Sequence, residues 1–88
     1  MSIHLFNRLE RIDYLIRKKA TGKPAELASR LGISERTLYD FLHLMRSLGA
    51  PIAYSKAKST YYYEVKGSFS IRFQKDNETE AESQEEQN

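Results

Sequence analysis

The chain has 88 residues, no cysteine and a formal net charge of +2. A chain of this length forms one small domain with too little core for a large enzyme cleft, and without cysteine it has neither a disulfide framework nor a thiolate metal site. It contains no run of about 18 apolar residues and no signal-peptide pattern, so we expect no membrane insertion or export and a cytoplasmic location.

The small net charge conceals an uneven distribution along the chain. Six acidic residues and no basic residue occur from Asp76 to the last residue, whereas residues 1–75 hold all fourteen Lys and Arg and six acids, a net +8. The segment 76–88 has no large apolar side chain, so it cannot recover its ordering entropy by burial. We predict one basic domain at 1–75 and a disordered acidic tail at 76–88.

Three amphipathic helices are predicted before Gly49, because apolar residues recur three and four positions apart. Pro24 suits the first turn of the second helix, and a serine hydroxyl at Ser34 can cap the third. The apolar positions are Leu5, Leu9, Ile12 and Ile16 in the first helix, Leu27, Ala28 and Leu31 in the second, and Leu38, Phe41, Leu42, Met45 and Leu48 in the third.

After Gly49 the apolar period changes to two, which is typical of strands. The stretches "IAY" and "TYYYEV" flank the polar loop "SKAKS", and this pattern predicts a β-hairpin. The alternation in "FSIRF" at 69–73 predicts a third short strand. The expected fold class is therefore mainly α with a β-hairpin or small three-stranded sheet.

The run "YYY" at 61–63 has two interpretations. Aromatic side chains can form a stacking platform for single-stranded nucleic acid. Strand alternation, however, would send Tyr61, Tyr63 and Val65 to one face and Tyr62 to the other, and tyrosine favours strands. We therefore expect core packing.

The stretch "ELASRLGISERTLYDFLHLM" at 26–45 is typical of a helix-turn-helix. A tight turn between two packed helices requires a small residue at the crossing and a flexible one at the turn, and Ala28 and Gly32 meet these needs. With the apolar face of the third helix turned inward, its polar face is presented outward, in a form that fits the major groove of B-DNA. The polar candidates for this recognition helix are Ser34, Glu35, Arg36, Thr37, Tyr39, Asp40 and His43.

The chemistry of these side chains suggests separate roles. Arg36 can bond guanine at two atoms, so it is the best candidate to contact a base. Ser34 and Thr37, at the helix start, suit phosphate contacts, and Tyr39 suits a base or a phosphate. Contacts with the DNA backbone are expected from the loop lysines and two arginines, namely Lys56, Lys58, Arg46 and Arg8.

From Arg8 to about Phe73 the chain resembles the winged helix-turn-helix domain at the N-termini of DeoR-like and WYL-domain transcription regulators. The residues that carry the resemblance are "LASRLGIS", "RTLY" and "LGAPI". It implies a three-helix bundle with "SKAKS" as the wing, binding to double-stranded DNA and a role in transcription regulation. After the tyrosine the family usually has a basic and then an acidic residue, where this chain has Asp40 and Phe41.

The same sequence pattern is compatible with functions other than transcription regulation. Winged helices also serve as protein-docking modules, and an architectural or excision factor of a mobile element would share the DNA chemistry. No phosphate loop or nucleophile elbow occurs, and Asp40 and His43 form an ordinary i,i+3 pair, so no enzyme is predicted. His4 and His43 are too far apart to suggest a metal site, and we expect no cofactor or small-molecule ligand.

One module covers little DNA surface, so a homodimer is a further expectation. Its candidate contacts are Phe6, Tyr14 and the 69–73 segment.

Overall fold

The structure, a computed structural model, describes residues 3–71 and 73. Three helices are followed by one antiparallel hairpin, and their bounds are α1 (Ile3–Arg17), α2 (Pro24–Leu31), α3 (Glu35–Ser47), β1 (Ile52–Ser55) and β2 (Thr60–Tyr63). The predicted helices and hairpin are confirmed, and their order is compatible with a winged-helix arrangement. The tail predicted at 76–88 lies outside the described residues.

Each helix contributes one apolar face to a single core. The residues that recur at helical spacing are buried together with the inner face of the hairpin: Leu9, Ile12, Ile16, Leu27, Ala28, Leu31, Leu38, Leu42, Met45, Ile52 and Tyr61. Tyr54 and Tyr63 pack against this cluster from the same hairpin face. The prediction that Tyr61 and Tyr63 face the core is therefore confirmed.

Two apolar residues predicted to be buried are exposed. Helix α3 ends at Ser47, so helical spacing no longer places Leu48 on the inner face, and 57% of its surface is accessible. Strand β2 ends at Tyr63, so the alternation does not continue to Val65, which is 66% exposed. In both cases the apolar pattern continues beyond the end of the element that would have buried it.

The prediction of a third strand at 69–73 is wrong for the described residues. Within them, the sheet consists of β1 and β2 alone. A strand needs a neighbour that offers backbone hydrogen bonds. The backbone N–H of Phe69 instead donates to Asp13 Oδ1 at 2.8 Å. This contact fixes the start of the segment on α1 rather than on the hairpin.

Two buried threonines attach the hairpin to the connection between α1 and α2. The backbone N–H of Thr21 donates to Thr60 Oγ1 at 3.1 Å, and that of Tyr61 donates to Thr21 Oγ1 at 2.9 Å. These bonds satisfy backbone groups that would otherwise be buried without a partner, which is costly. They hold β2 against the helical part of the domain.

Asp13, on α1, joins three parts of the chain although the residue is only 5% exposed. Its carboxylate accepts hydrogen bonds from the Tyr63 hydroxyl at 2.7 Å, the Phe69 N–H at 2.8 Å and Arg17 Nε at 3.0 Å. Burial, and then the hydrogen bond to Asp13, raise the pKa of Tyr63 above its usual range. The phenol therefore stays protonated and keeps donating to Asp13.

The turn between α2 and α3 depends on a left-handed residue. Gly32 has φ +70° and ψ +34°, and the N–H of Ile33 donates to Ala28 O at 3.0 Å. This closure stops α2 and lets α3 begin three residues later. Glycine adopts this backbone conformation without the steric cost that a Cβ imposes.

Gly32→Ala is expected to lower the free energy of unfolding by about 1 kcal/mol, since a Cβ disfavours the left-handed conformation. No atom lies within 4 Å of the added Cβ, so the effect is one of backbone conformation alone. Gly67→Ala is the matched control, because its site is equally open and its φ is not positive. Urea denaturation should show little change in the free energy of unfolding for Gly67→Ala. Equal losses of this free energy in both variants would contradict the prediction.

Candidate functional site

Helix α3 starts in a well-defined cap. The Ser34 hydroxyl oxygen accepts a hydrogen bond from the Thr37 N–H at 3.0 Å and lies 3.1 Å from Thr37 Oγ1, to which it donates. The first of these bonds satisfies one of the unpaired N–H groups at the helix start. The cap predicted at Ser34 is confirmed, and the two residues predicted as phosphate contacts are held beside each other.

The outward face of α3 is formed by the polar residues of the predicted recognition helix. Leu38, Leu42 and Met45 are buried on the opposite face. Thr37 is half-buried, and the exposed residues are Ser34, Glu35, Arg36, Tyr39, Asp40 and His43. The structure therefore brings all seven candidates together on one helix and its cap.

Arg36 forms one ion pair along the helix. Its Nε lies 4.0 Å from Asp40 Oδ1, and the two side chains are 87% and 69% exposed. A pair this exposed contributes little to stability and separates easily in water. Asp40 nevertheless places a negative charge beside the arginine that was predicted to contact a base.

The hairpin meets α3 at a group of tyrosines. The Tyr54 and Tyr61 rings pack edge to face with centroids 4.9 Å apart. Burial, followed by the nearby Tyr39 hydroxyl, raises the pKa of Tyr61 to about 12, while Arg46 acts in the opposite direction. Tyr61 belongs to the same buried cluster as Leu38, Leu42 and Met45 of α3, so the core-facing side of β2 contributes to the core that this helix also lines.

The two arginines predicted to contact the DNA backbone already have structural partners. Arg46 Nε donates to Ile52 O at 3.2 Å, which joins the last turn of α3 to β1. Arg8 Nε donates to Leu31 O at 3.1 Å and so satisfies a carbonyl at the end of α2. Arg46 remains exposed near the hairpin, whereas Arg8 is half-buried.

The loop between β1 and β2 presents Lys56 and Lys58 to solvent. The N–H of Lys58 donates to Ser55 Oγ at 3.1 Å, and Ser59 adopts φ +52° to close the turn. A shallow pocket of about 230 Å³ beside it is lined by Lys19, Ser55, Lys58, Thr60 and Tyr62. Lys19 was not among the predicted candidates, since only the fold brings the α1–α2 connection to the hairpin.

The described residues contain no helix long and apolar enough to cross a membrane. Within residues 3–71 and 73 there is also no group of three or more His, Asp or Glu side chains that could hold a metal ion. In comparisons with known proteins, no protein-family model, curated protein or solved structure matches the chain.

Proposed function

We propose that this protein is a winged helix-turn-helix domain that binds double-stranded DNA and acts in the cytoplasm in transcription regulation or a related DNA transaction. One observation carries the proposal. The outward face of α3 is polar and exposed from its capped start, and Arg46 joins the end of this helix to a hairpin whose loop exposes Lys56 and Lys58. An α-helix with flanking cations is the form that fits the major groove and the adjacent phosphates.

In this proposal each side chain contacts the part of DNA that suits its chemistry. Arg36 contacts guanine O6 and N7 once its weak pair with Asp40 opens. Ser34 and Thr37 approach a phosphate at the helix start, where unpaired N–H groups also favour an anion. Tyr39 reaches a base or a phosphate. Its hydroxyl lies 3.4 Å from Glu35 Oε1, the one hydrogen bond that orients it in the described residues.

Charge supplies most of the affinity in this proposal. Residues 1–75 carry a net +8, and the loop "SKAKS" contains two lysines and no acid. Each phosphate neutralised by such a side chain releases condensed counterions from DNA. Binding to duplexes of unrelated sequence should therefore be measurable at low salt, before any preferred site is known.

The experiment is fluorescence anisotropy of mixed labelled duplexes titrated with the protein. If four to six basic side chains meet phosphates, log K falls against log salt with a slope of about −4 to −5 between roughly 50 and 200 mM salt. Circular dichroism of the same sample establishes that the protein is folded. A folded protein that shows no binding at the lower salt, or a flat salt response, would refute the proposal.

A protein-docking module is the second candidate function. It is favoured by the two acids on the exposed face of α3, Glu35 and Asp40, the second of which pairs with Arg36. Such a mixed surface suits a protein partner as well as a phosphate backbone. An architectural or excision factor of a mobile element would use the same DNA contacts, so the anisotropy experiment tests it together with the regulator.

A further inference from the structure

The pocket of about 230 Å³ between the α1–α2 connection and the loop end of the hairpin is basic. This lysine pocket is lined by Lys19, Ser55, Lys58, Thr60 and Tyr62. Its lining therefore presents two cations and three hydroxyl groups, and no acid. None of the seven candidates on α3 and its cap belongs to it, so it is a separate surface of the domain.

The two lysines of this pocket have no acidic partner within residues 3–71 and 73. The ion pairs in that part of the chain both involve an arginine. Lys19 and Lys58 are exposed and belong to segments far apart in sequence, which the fold brings to one pocket. Like charges that line one pocket repel each other, and an anion bound between them replaces this repulsion with attraction.

Two hydroxyl groups of the pocket have a proton to donate. The Ser55 hydroxyl oxygen accepts from the Lys58 N–H at 3.1 Å, and its own proton has no acceptor among the described residues. The Tyr62 hydroxyl has no hydrogen-bond partner in that part of the chain either. Thr60 differs, because its Oγ1 accepts from the Thr21 N–H at 3.1 Å and donates to a backbone carbonyl. Thr60 therefore holds the wall of the pocket in place, and the other two hydroxyls are available to an anion.

Lys19 occupies a backbone position that favours glycine. After each of the three described helices, a left-handed residue donates its N–H to the carbonyl three residues back, and the next residue donates to the carbonyl five back. The left-handed residue is Gly32 after α2 and Gly49 after α3, but it is Lys19, with φ +53°, after α1. A Cβ makes this conformation costly. Arg17 and Lys18 already supply the positive charge that a helix C-terminus favours, so that charge does not account for a lysine at this position.

We propose that the lysine pocket binds a phosphate group, with Lys19 and Lys58 as its cations and Ser55 and Tyr62 as its hydroxyl donors. Ammonium and hydroxyl groups are the donors that proteins direct at phosphate oxygens. A strained residue that lines a pocket is also typical of a binding site. The phosphate group comes either from the DNA backbone or from free phosphate. The site goes beyond the proposed recognition by α3, because free phosphate can bind it without DNA.

The first part of the test titrates the full chain with inorganic phosphate, against sodium chloride of equal ionic strength. Two-dimensional NMR of the backbone amides should show saturable shifts concentrated at Lys19, Ser55 and Lys58. Lys19→Gly should raise the dissociation constant for phosphate at least about fivefold, because one charged donor is lost. The same variant should raise the urea midpoint, because glycine adopts the left-handed conformation without the cost of a Cβ. Opposite changes in affinity and stability distinguish a ligand contact from a structural role.

Lys18→Ala is the matched control, because it removes the same charge from the adjacent residue, which does not line the pocket. It should leave the affinity for inorganic phosphate unchanged. The second part of the test repeats the DNA anisotropy titrations with both variants. If the pocket takes a backbone phosphate, Lys19→Gly makes the salt slope shallower by about 1 and Lys18→Ala does not. If Lys19→Gly weakens phosphate binding but leaves the salt slope unchanged, the pocket binds free phosphate.

Two results would overturn the inference. The first is the absence of saturable phosphate shifts at the pocket together with equal salt slopes for the two variants. The second is an equal loss of phosphate affinity in Lys18→Ala and Lys19→Gly, which would mean that phosphate responds to the general charge of the domain. A wild type that binds inorganic phosphate at the pocket but no DNA refutes the proposed function alone, because the first part of the test contains no DNA.

Discussion

Asp13→Ala is expected to lower the free energy of unfolding by about 3 kcal/mol. The substitution leaves the Tyr63 hydroxyl and the Phe69 N–H without their acceptor in a largely buried site. A domain of this size has only about 5 to 10 kcal/mol of stability in total. Urea denaturation followed by far-UV circular dichroism should therefore show a much lower midpoint.

Asp40→Ala is the matched control for this loss. Asp13 and Asp40 each pair with an arginine four residues away on the same helix, but the Asp13 side chain is 7% exposed and that of Asp40 is 69% exposed. Removing an exposed pair should cost less than about 0.5 kcal/mol. Equal losses in the two variants would mean that the bonds from Tyr63 and Phe69 do not stabilise the fold.

Replacing Arg36, Lys56 and Lys58 together with alanine is expected to weaken DNA binding at least about a thousandfold near 0.1 M salt. Each lysine that neutralises a phosphate contributes about a factor of ten at this salt, and a base-contacting arginine contributes about 1 to 3 kcal/mol. The salt slope should become shallower by about 2. Anisotropy titrations of wild type and variant on the same duplexes measure both effects.

The control for this variant separates position from total charge. Arg11 and Lys18 are exposed residues of the α1 region. Replacing both with alanine removes two positive charges, so the variant to compare it with is Lys56→Ala, Lys58→Ala, which removes two from the hairpin loop. The Arg11, Lys18 pair should reduce affinity far less. If both pairs weaken binding equally, DNA is held by the net charge of the domain and not by the wing. The comparison requires that every variant has the same melting curve as the wild type. We expect this result because all the replaced side chains are exposed.

Arg36→Lys refines the same experiment. It keeps the positive charge but removes the planar fork that bonds guanine at two atoms. We expect little change in affinity for unrelated duplexes. The preference for a selected site over other sequences should be lost. This contrast distinguishes a base contact by Arg36 from a phosphate contact, which would weaken all sequences alike.

The helices were predictable because their signals are local. Apolar spacing determines which face of α1, α2 and α3 is buried, and the residues Gly32 and Ser34 mark where one helix stops and the next starts. Both signals involve residues within one or two helical turns of each other. The same locality explains why the seven candidates of α3 and its cap were found together.

Asp13 was not predictable because its partners are distant in sequence. Tyr63 and Phe69 are 50 and 56 residues further along the chain, and the only local sign was an arginine at i+4. On a helical wheel an aspartate beside apolar positions looks like an ordinary surface residue. Lys19 was overlooked for the same reason, since its place beside the β1–β2 loop depends on how Thr21 attaches to β2.

The sequence by itself determined the three helices, the turn at Gly32, the hairpin and the polar face of α3, because each follows from interactions between residues close along the chain. Tertiary structure alone decided that Asp13 is buried, that Leu48 and Val65 are exposed and that the described part of the 69–73 segment has no strand partner. Burial and strand pairing depend on what lies beside a residue in space, and residues distant in sequence supply those neighbours.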